Sequence, residues 1–267
     1  MGSWSSLFAW SSWFPPSCPC DPAAKAWIEQ RLEWLSARFE NTPFAGGRLV
    51  LPTDEFFPDP YDGSRGAAEL LFGRVCDLMG VARSRVVLRF DRTRRDLHLI
   101  DDAGHALPGA AGTYSRGRRE VVRLHVDELA DFEPVIGTMA HELAHSRLLG
   151  AGLLTGDEFD HELLTDLTAV FLGFGVFLAN SPRNWRSQYS LWPGTELNKP
   201  EYMTPPMYGY ALAHLAWFQD RRRPDWAGHL HANLRPYLRQ GTRFLFETGR
   251  SDFRPDRLGE AKRDGAD

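Results

Sequence analysis

The chain has 267 residues, 43% of them hydrophobic and 25% charged. That is enough apolar material for one sizeable core, or at most two small ones, and it excludes a disordered chain. The net charge of −4 offers no basic excess to neutralise phosphates, so nucleic acid is not an expected partner. Three cysteines make no disulfide framework, and a reducing, cytoplasmic compartment is the simpler expectation.

Residues 1–16 hold Trp4, Trp10, Trp13, Phe8 and Phe14 and no charged side chain. The first basic residue is Lys25, which argues against a secretory signal. Gly2 with Ser6 matches a short myristoylation pattern. Such an aromatic arm is expected to pack on the body of the protein, or to contact a membrane surface or a partner. From Pro22 onward, Trp27, Ile28, Leu32, Leu35 and Phe39 fall at helical spacing, with Asp21 as N-cap. Residues 41–62 read as loop and 67–79 as a helix ending near Gly80. Strands are expected at 85–90, at 97–100 and at 120–126, with a glycine-rich link over 104–117. In the last strand Val122, Leu124 and Val126 face one way, and Val121, Arg123 and His125 the other. Helices are expected at about 133–149, 160–179, 205–220 and 226–238. The most apolar run, Ala169 to Ala179, is shorter than the ~18 residues a membrane span needs, so no transmembrane segment is expected and the run reads as a buried helix. The long loop 180–203 is functional or loosely ordered. Residues 249–267 carry both charge signs densely and read as a disordered tail.

The chemistry sits in His141-Glu142-Leu143-Ala144-His145, an HExxH sequence. Histidines at i and i+4 lie one turn apart on one helix face, so both imidazoles reach a single metal ion. Glu142 stands beside them and can take the proton of a water that the metal acidifies. Pro134 suits the first helical turn, Ile136, Met139, Ala140 and Leu143 supply a buried side, and Gly150 marks the end.

Catalytic zinc takes three protein ligands and leaves a fourth position open. The third is expected from His161-Glu162-Leu163-Leu164-Thr165-Asp166, on the helix that follows a short loop. Glu162 is the favoured ligand. Asp166 lies one turn on, on the same face, where it can accept the other N–H of a ligand histidine. Asp157, Glu158 and Asp160 look like acids that complement a helix dipole. His161 and Asp160 remain alternative ligands.

The pair HELAH and ELLTD, separated by the sixteen residues 146–161, resembles the gluzincin class of zinc metallopeptidases, the thermolysin-like and aminopeptidase-like group, over roughly residues 110–180. The resemblance implies that His141, His145 and Glu162 bind Zn2+, that Glu142 is the general base, and that Asp166 supports a ligand histidine, in the first place His141. It also implies that the strand 120–126 is an edge strand holding an extended substrate. The spacing to Glu162 is slightly shorter than in the best-known members, and His161 stands where thermolysin-like members have Asn. The expected fold is therefore α+β and zincin-like, a small mixed sheet with an edge strand followed by a mostly helical half. Residues 1–45 form the aromatic arm and a helix on the body, 46–248 the zincin-like domain, and 249–267 the tail.

A Tyr or His facing the zinc commonly stabilises the oxyanion of peptide hydrolysis. Tyr208 and Tyr210, at the start of a helix, are the candidates, followed one turn later by His214, and Tyr114 is placed to flank the cleft. His229 and His231 point apart and make a poor metal pair. Cys18-Pro19-Cys20 lacks the second pair that would complete a metal site. The expected activity is zinc-dependent hydrolysis of a peptide or protein substrate. The alternatives are a catalytically inactive zincin-fold binding or regulatory protein and a small-molecule amidase or esterase.

Overall fold

The structure is a computed structural model, and it describes residues 15–91, 112–115, 119–155, 159–181 and 202–254. The aromatic residues 4–14, the expected strand 97–100 and most of the loop 180–203 lie outside the described residues. Helix α1 (Pro22–Ser36) starts at Asp21, whose Oδ1 accepts the N–H groups of Ala23 at 2.9 Å and Ala24 at 3.0 Å. Its apolar stripe buries Ile28, Leu32 and Leu35 completely. Helix α2 (Arg65–Met79) is capped by Ser64 and stops at Gly80, which takes the left-handed conformation at φ 65°.

Three strands form a mixed sheet: β1 (Val86–Asp91), β2 (Gly112–Ser115) and β3 (Glu120–His125), in the order β1-β3-β2. β1 pairs with β3 in parallel, from Val86 opposite Glu120 to Asp91 opposite His125. β2 pairs with β3 antiparallel, from Gly112 opposite Leu124 to Ser115 opposite Val121. This corrects one sequence expectation. The strand at 120–125 is the central one, its alternation reflecting Glu120, Val122 and Leu124 buried on one face. The strand beside the helices is β2, hidden in the glycine-rich link, where Gly112 and Ser115 mask the signal.

Helix α3 (Phe132–His145) carries the HExxH sequence and runs into a π-helical turn, Ser146–Gly150. After a short connection come α4 (His161–Ala169), a π-helical turn (Val170–Phe174) and α5 (Gly175–Asn180). Gly173, at φ 105°, breaks the regular helix there. The stretch His161–Asn180 is long and apolar enough to cross a membrane by length and composition, yet 89% of its most apolar window is buried inside the protein. It is the central core helix, bearing Leu163, Leu164, Leu167, Phe171, Phe174 and Phe177.

Helix α6 (Pro205–Phe218) packs against α7 (Arg235–Thr248). The last helix departs from the expected 226–238. Residues Asp225–His229 form only a 3-10 turn, and the helix begins at Arg235. Pro236 explains the shift, because proline is tolerated in a first turn but not at a helix's end. The tail boundary also moves, since Ser251 and Phe253 are buried, at 3% exposure each. Residues 255–267 lie outside the described residues.

Candidate metal centre

α3 and α4 pack together. His141 meets Asp166 while His145 meets His161, so the helices pass each other in opposite directions. Along α4, Glu162, Thr165 and Asp166 are spaced i, i+3 and i+4 and share the face turned to α3. One nitrogen each from His141 and His145 and one oxygen from Glu162 lie within 4.8 Å of one another. Glu162 Oε2 is 3.1 Å from His141 Nε2 and 3.6 Å from His145 Nε2. Both histidines are buried, and the Glu162 side chain is 22% exposed. The cluster therefore lies under the surface with one side open.

The partners on the far side of each ring settle where its proton sits. His141 Nδ1 is 2.8 Å from Asp166 Oδ1. Asp166 is fully buried and its other oxygen accepts the Met203 N–H at 3.0 Å. A carboxylate only accepts, so Nδ1 of His141 carries the hydrogen and Nε2 presents its lone pair to Glu162. His145 Nδ1 is 3.2 Å from Thr165 Oγ1, and that hydroxyl donates its one hydrogen to the His161 carbonyl at 2.7 Å. Thr165 must then accept from His145, and Nε2 of His145 also carries a lone pair inward. Two imidazole lone pairs and a carboxylate oxygen converge on one point. In a buried site that arrangement is repulsive until a proton or a cation enters it. Two nitrogens and one oxygen suit zinc, with a position left over. The residues present fit such a metal, and the fold brings together a cluster that could hold one.

Burial opposes the charge of Glu162, but when it is protons that enter the site, the hydrogen bonds and charge of His141 and His145 outweigh that burial. They hold the carboxyl far below the ordinary carboxylate range. Glu142 is 5% exposed on the same turn of α3. A Cβ on Gly112 would lie 3.1 Å from Glu142 Oε1 and 2.7 Å from Thr138 Cγ2. Strand β2 thus passes directly over the glutamate, and it can do so because residue 112 has no side chain.

The other sequence candidates separate clearly. Asp160 is no ligand. Its Oδ2 accepts from Trp27 Nε1 at 2.7 Å and Arg31 Nε at 2.8 Å, and its Oδ1 accepts from Arg31 at 2.9 Å. It ties α4 to α1 instead. Tyr210 is fully buried and donates its hydroxyl to Glu29 Oε1 at 2.5 Å, so its catalytic assignment does not hold. Burial and then the hydrogen bond to Glu29 push its phenol far up. Tyr208 is also buried, and its two-residue offset turns it to another side of α6 than Tyr210. His214, completely buried, lies with Nδ1 3.1 Å from the Tyr210 carbonyl and Nε2 2.9 Å from Ser251 Oγ. It belongs to that second cluster.

Sequence reasoning placed Tyr114 beside the cleft but missed Tyr202. Tyr114 of β2 stacks on His145, ring centres 5.7 Å apart, and Tyr202 lies against His141 at 5.9 Å. Thr165 was legible as the i+3 partner of Glu162, but its hydroxyl role needs the packed helices. Tyr202 is set by the Met203–Asp166 bond, which no sequence period encodes. No family model matches the chain, and neither the curated proteins nor the solved structures contain a match to it.

Proposed function

We propose that the protein is a zinc-dependent hydrolase of gluzincin type, acting on peptide bonds. The observation that carries this reading is the pair of inward lone pairs on His141 and His145, fixed by Asp166 and Thr165 and joined by Glu162 Oε2. Three such ligands and an open side match a catalytic rather than a closed structural site. Zinc held there supplies a Lewis acid that polarises a carbonyl and brings the pKa of a water to about 7.

The chain's own residues supply the remainder. Glu142, next to His141 on α3 and against the backbone of β2, takes a proton from the attacking water and returns it to the leaving amine. β2 is an edge strand, paired with β3 on one side only among the described residues, so an extended peptide can pair along its other side. Asp166 and Thr165 hold the tautomers. Tyr114 and Tyr202, beside the two rings, are the phenols best placed to meet developing negative charge.

The test is Glu142→Gln, loaded with zinc and assayed on a mixed peptide library. It is expected to retain the metal and lose about 10²–10⁴-fold in turnover. Undiminished cleavage would remove Glu142 from the mechanism. A zinc-loaded wild type that cleaves no peptide would favour a binding role for the fold.

A further inference from the structure

His161 has no part in the reading above, yet it touches the same carboxylate. Its Nε2 lies 3.0 Å from Glu162 Oε1, while Oε2 of that carboxylate faces His141 and His145. The His161 ring also sits beside that of His145, centres 5.5 Å apart. Consecutive residues on a helix diverge by about 100°, so contact between the tips of His161 and Glu162 means that both are turned in toward one place. The backbone there is pinned. Asp160, the preceding residue, is held by Trp27 and Arg31 of α1, and the His161 carbonyl accepts the Thr165 hydroxyl.

A metal-binding carboxylate can offer one oxygen or two. If Glu162 offered both, it would occupy the position that a catalytic zinc keeps for water and substrate. A donor on Oε1 engages that oxygen and fixes the plane of the group. We infer that His161 is a positioning residue: the pairing of its Nε2 with Glu162 Oε1 keeps that oxygen engaged so that only Oε2 binds the metal, which keeps the fourth position open. This rests on the metal-site reading of His141, His145 and Glu162, and it adds a role for His161, whose Nε2 meets the other oxygen of Glu162.

The experiment uses the full chain loaded with Co2+ for visible spectroscopy and with Zn2+ for X-ray absorption. Wild type is expected to show the intense visible bands of a four-coordinate Co2+ centre and two imidazoles on zinc. His161→Ala is expected to keep both imidazoles, to gain an oxygen ligand with weaker visible bands, and to bind zinc about 10–100-fold less tightly. His161→Gln, whose amide N–H can replace the donor, is expected to restore the wild-type spectrum. His161 is 28% exposed at its side chain, so neither change empties the core. A His161→Ala spectrum identical to wild type would overturn the inference. Loss of one imidazole in His161→Ala would overturn it too, making His161 a fourth ligand. If wild type binds neither ion, the metal-site reading itself falls and takes this inference with it. Normal binding by His145→Ala would refute the ligand set alone.

Discussion

Two buried clusters in this protein both combine histidine with glutamate and end in opposite states. One joins His141, His145, Glu162 and Asp166 between α3 and α4. The other joins Glu29 of α1, Tyr210 and His214 of α6, and Ser251. In the second, every inward-facing group meets a complement. Glu29 is 1% exposed and accepts from Lys25 Nζ at 3.0 Å, Tyr210 at 2.5 Å and the Asp252 N–H at 3.1 Å. Burial works against its charge, but those donors overcome it and hold the carboxyl below its usual range. In the first cluster the outer ring nitrogens are satisfied and the inner ones are aimed at a carboxylate oxygen. A buried histidine beside a glutamate is therefore no sign of a metal site by itself. The direction in which the partners force the lone pairs decides it.

This contrast predicts that changes in the second cluster cost stability and spare metal binding, while changes in the first do the reverse. The largest effect in the second is expected at His214. Burial pushes its pKa down from 6.5 to about 4, against the opposing pull of Glu29. Between those values the unfolded chain binds a proton that the folded chain refuses. Stability therefore falls as the pH is lowered from 6.5 toward 4, by about 3 kcal/mol in all. Urea unfolding across this range should show the slope, and His214→Gln should flatten it. An unchanged slope in the variant would place the titration elsewhere. Tyr210→Phe removes a hydrogen bond to a carboxylate and is expected to cost about 1.5–3 kcal/mol with zinc content unaltered. A Tyr210→Phe protein that lost zinc would break the separation of the two clusters.

In the metal cluster, Asp166→Asn is expected to weaken zinc binding about 10–100-fold, read by competition with a chelator. The amide can present its N–H to His141 and so reverse the tautomer. Thr165→Val is expected to have a smaller effect in the same direction, since Thr165 is a neutral acceptor and the Asp166 bond is charge-assisted. A Thr165→Val loss exceeding that of Asp166→Asn would invert this order of importance.

Much of the metal cluster was legible in the sequence because it obeys helical periods. His141 and His145 are i and i+4, and Glu162 and Asp166 repeat the pattern on the next helix. Asp21 and Pro22 announced α1 for equally local reasons. The failures share a cause as well. Tyr210 is as plausible as Tyr208 by spacing alone, and only the position of Glu29, far away in sequence on α1, decides where its hydroxyl goes. Asp160 resembled a ligand until Trp27 and Arg31 were seen to claim both its oxygens. Strand β2, four residues long and starting with glycine, has no alternation to detect, and its placement comes from pairing with β3. Long-range partners, not local propensity, made each of these assignments.

Zinc binding at this site requires that the three converging lone pairs of His141, His145 and Glu162 hold the ion together. Elemental analysis of purified wild type and His145→Ala, side by side after reconstitution with zinc, tests it most directly. About one zinc per chain in wild type, the number a single three-ligand site accommodates, and its loss in the variant are the expected result. A wild type that holds no zinc, or a variant that holds as much, would contradict the account.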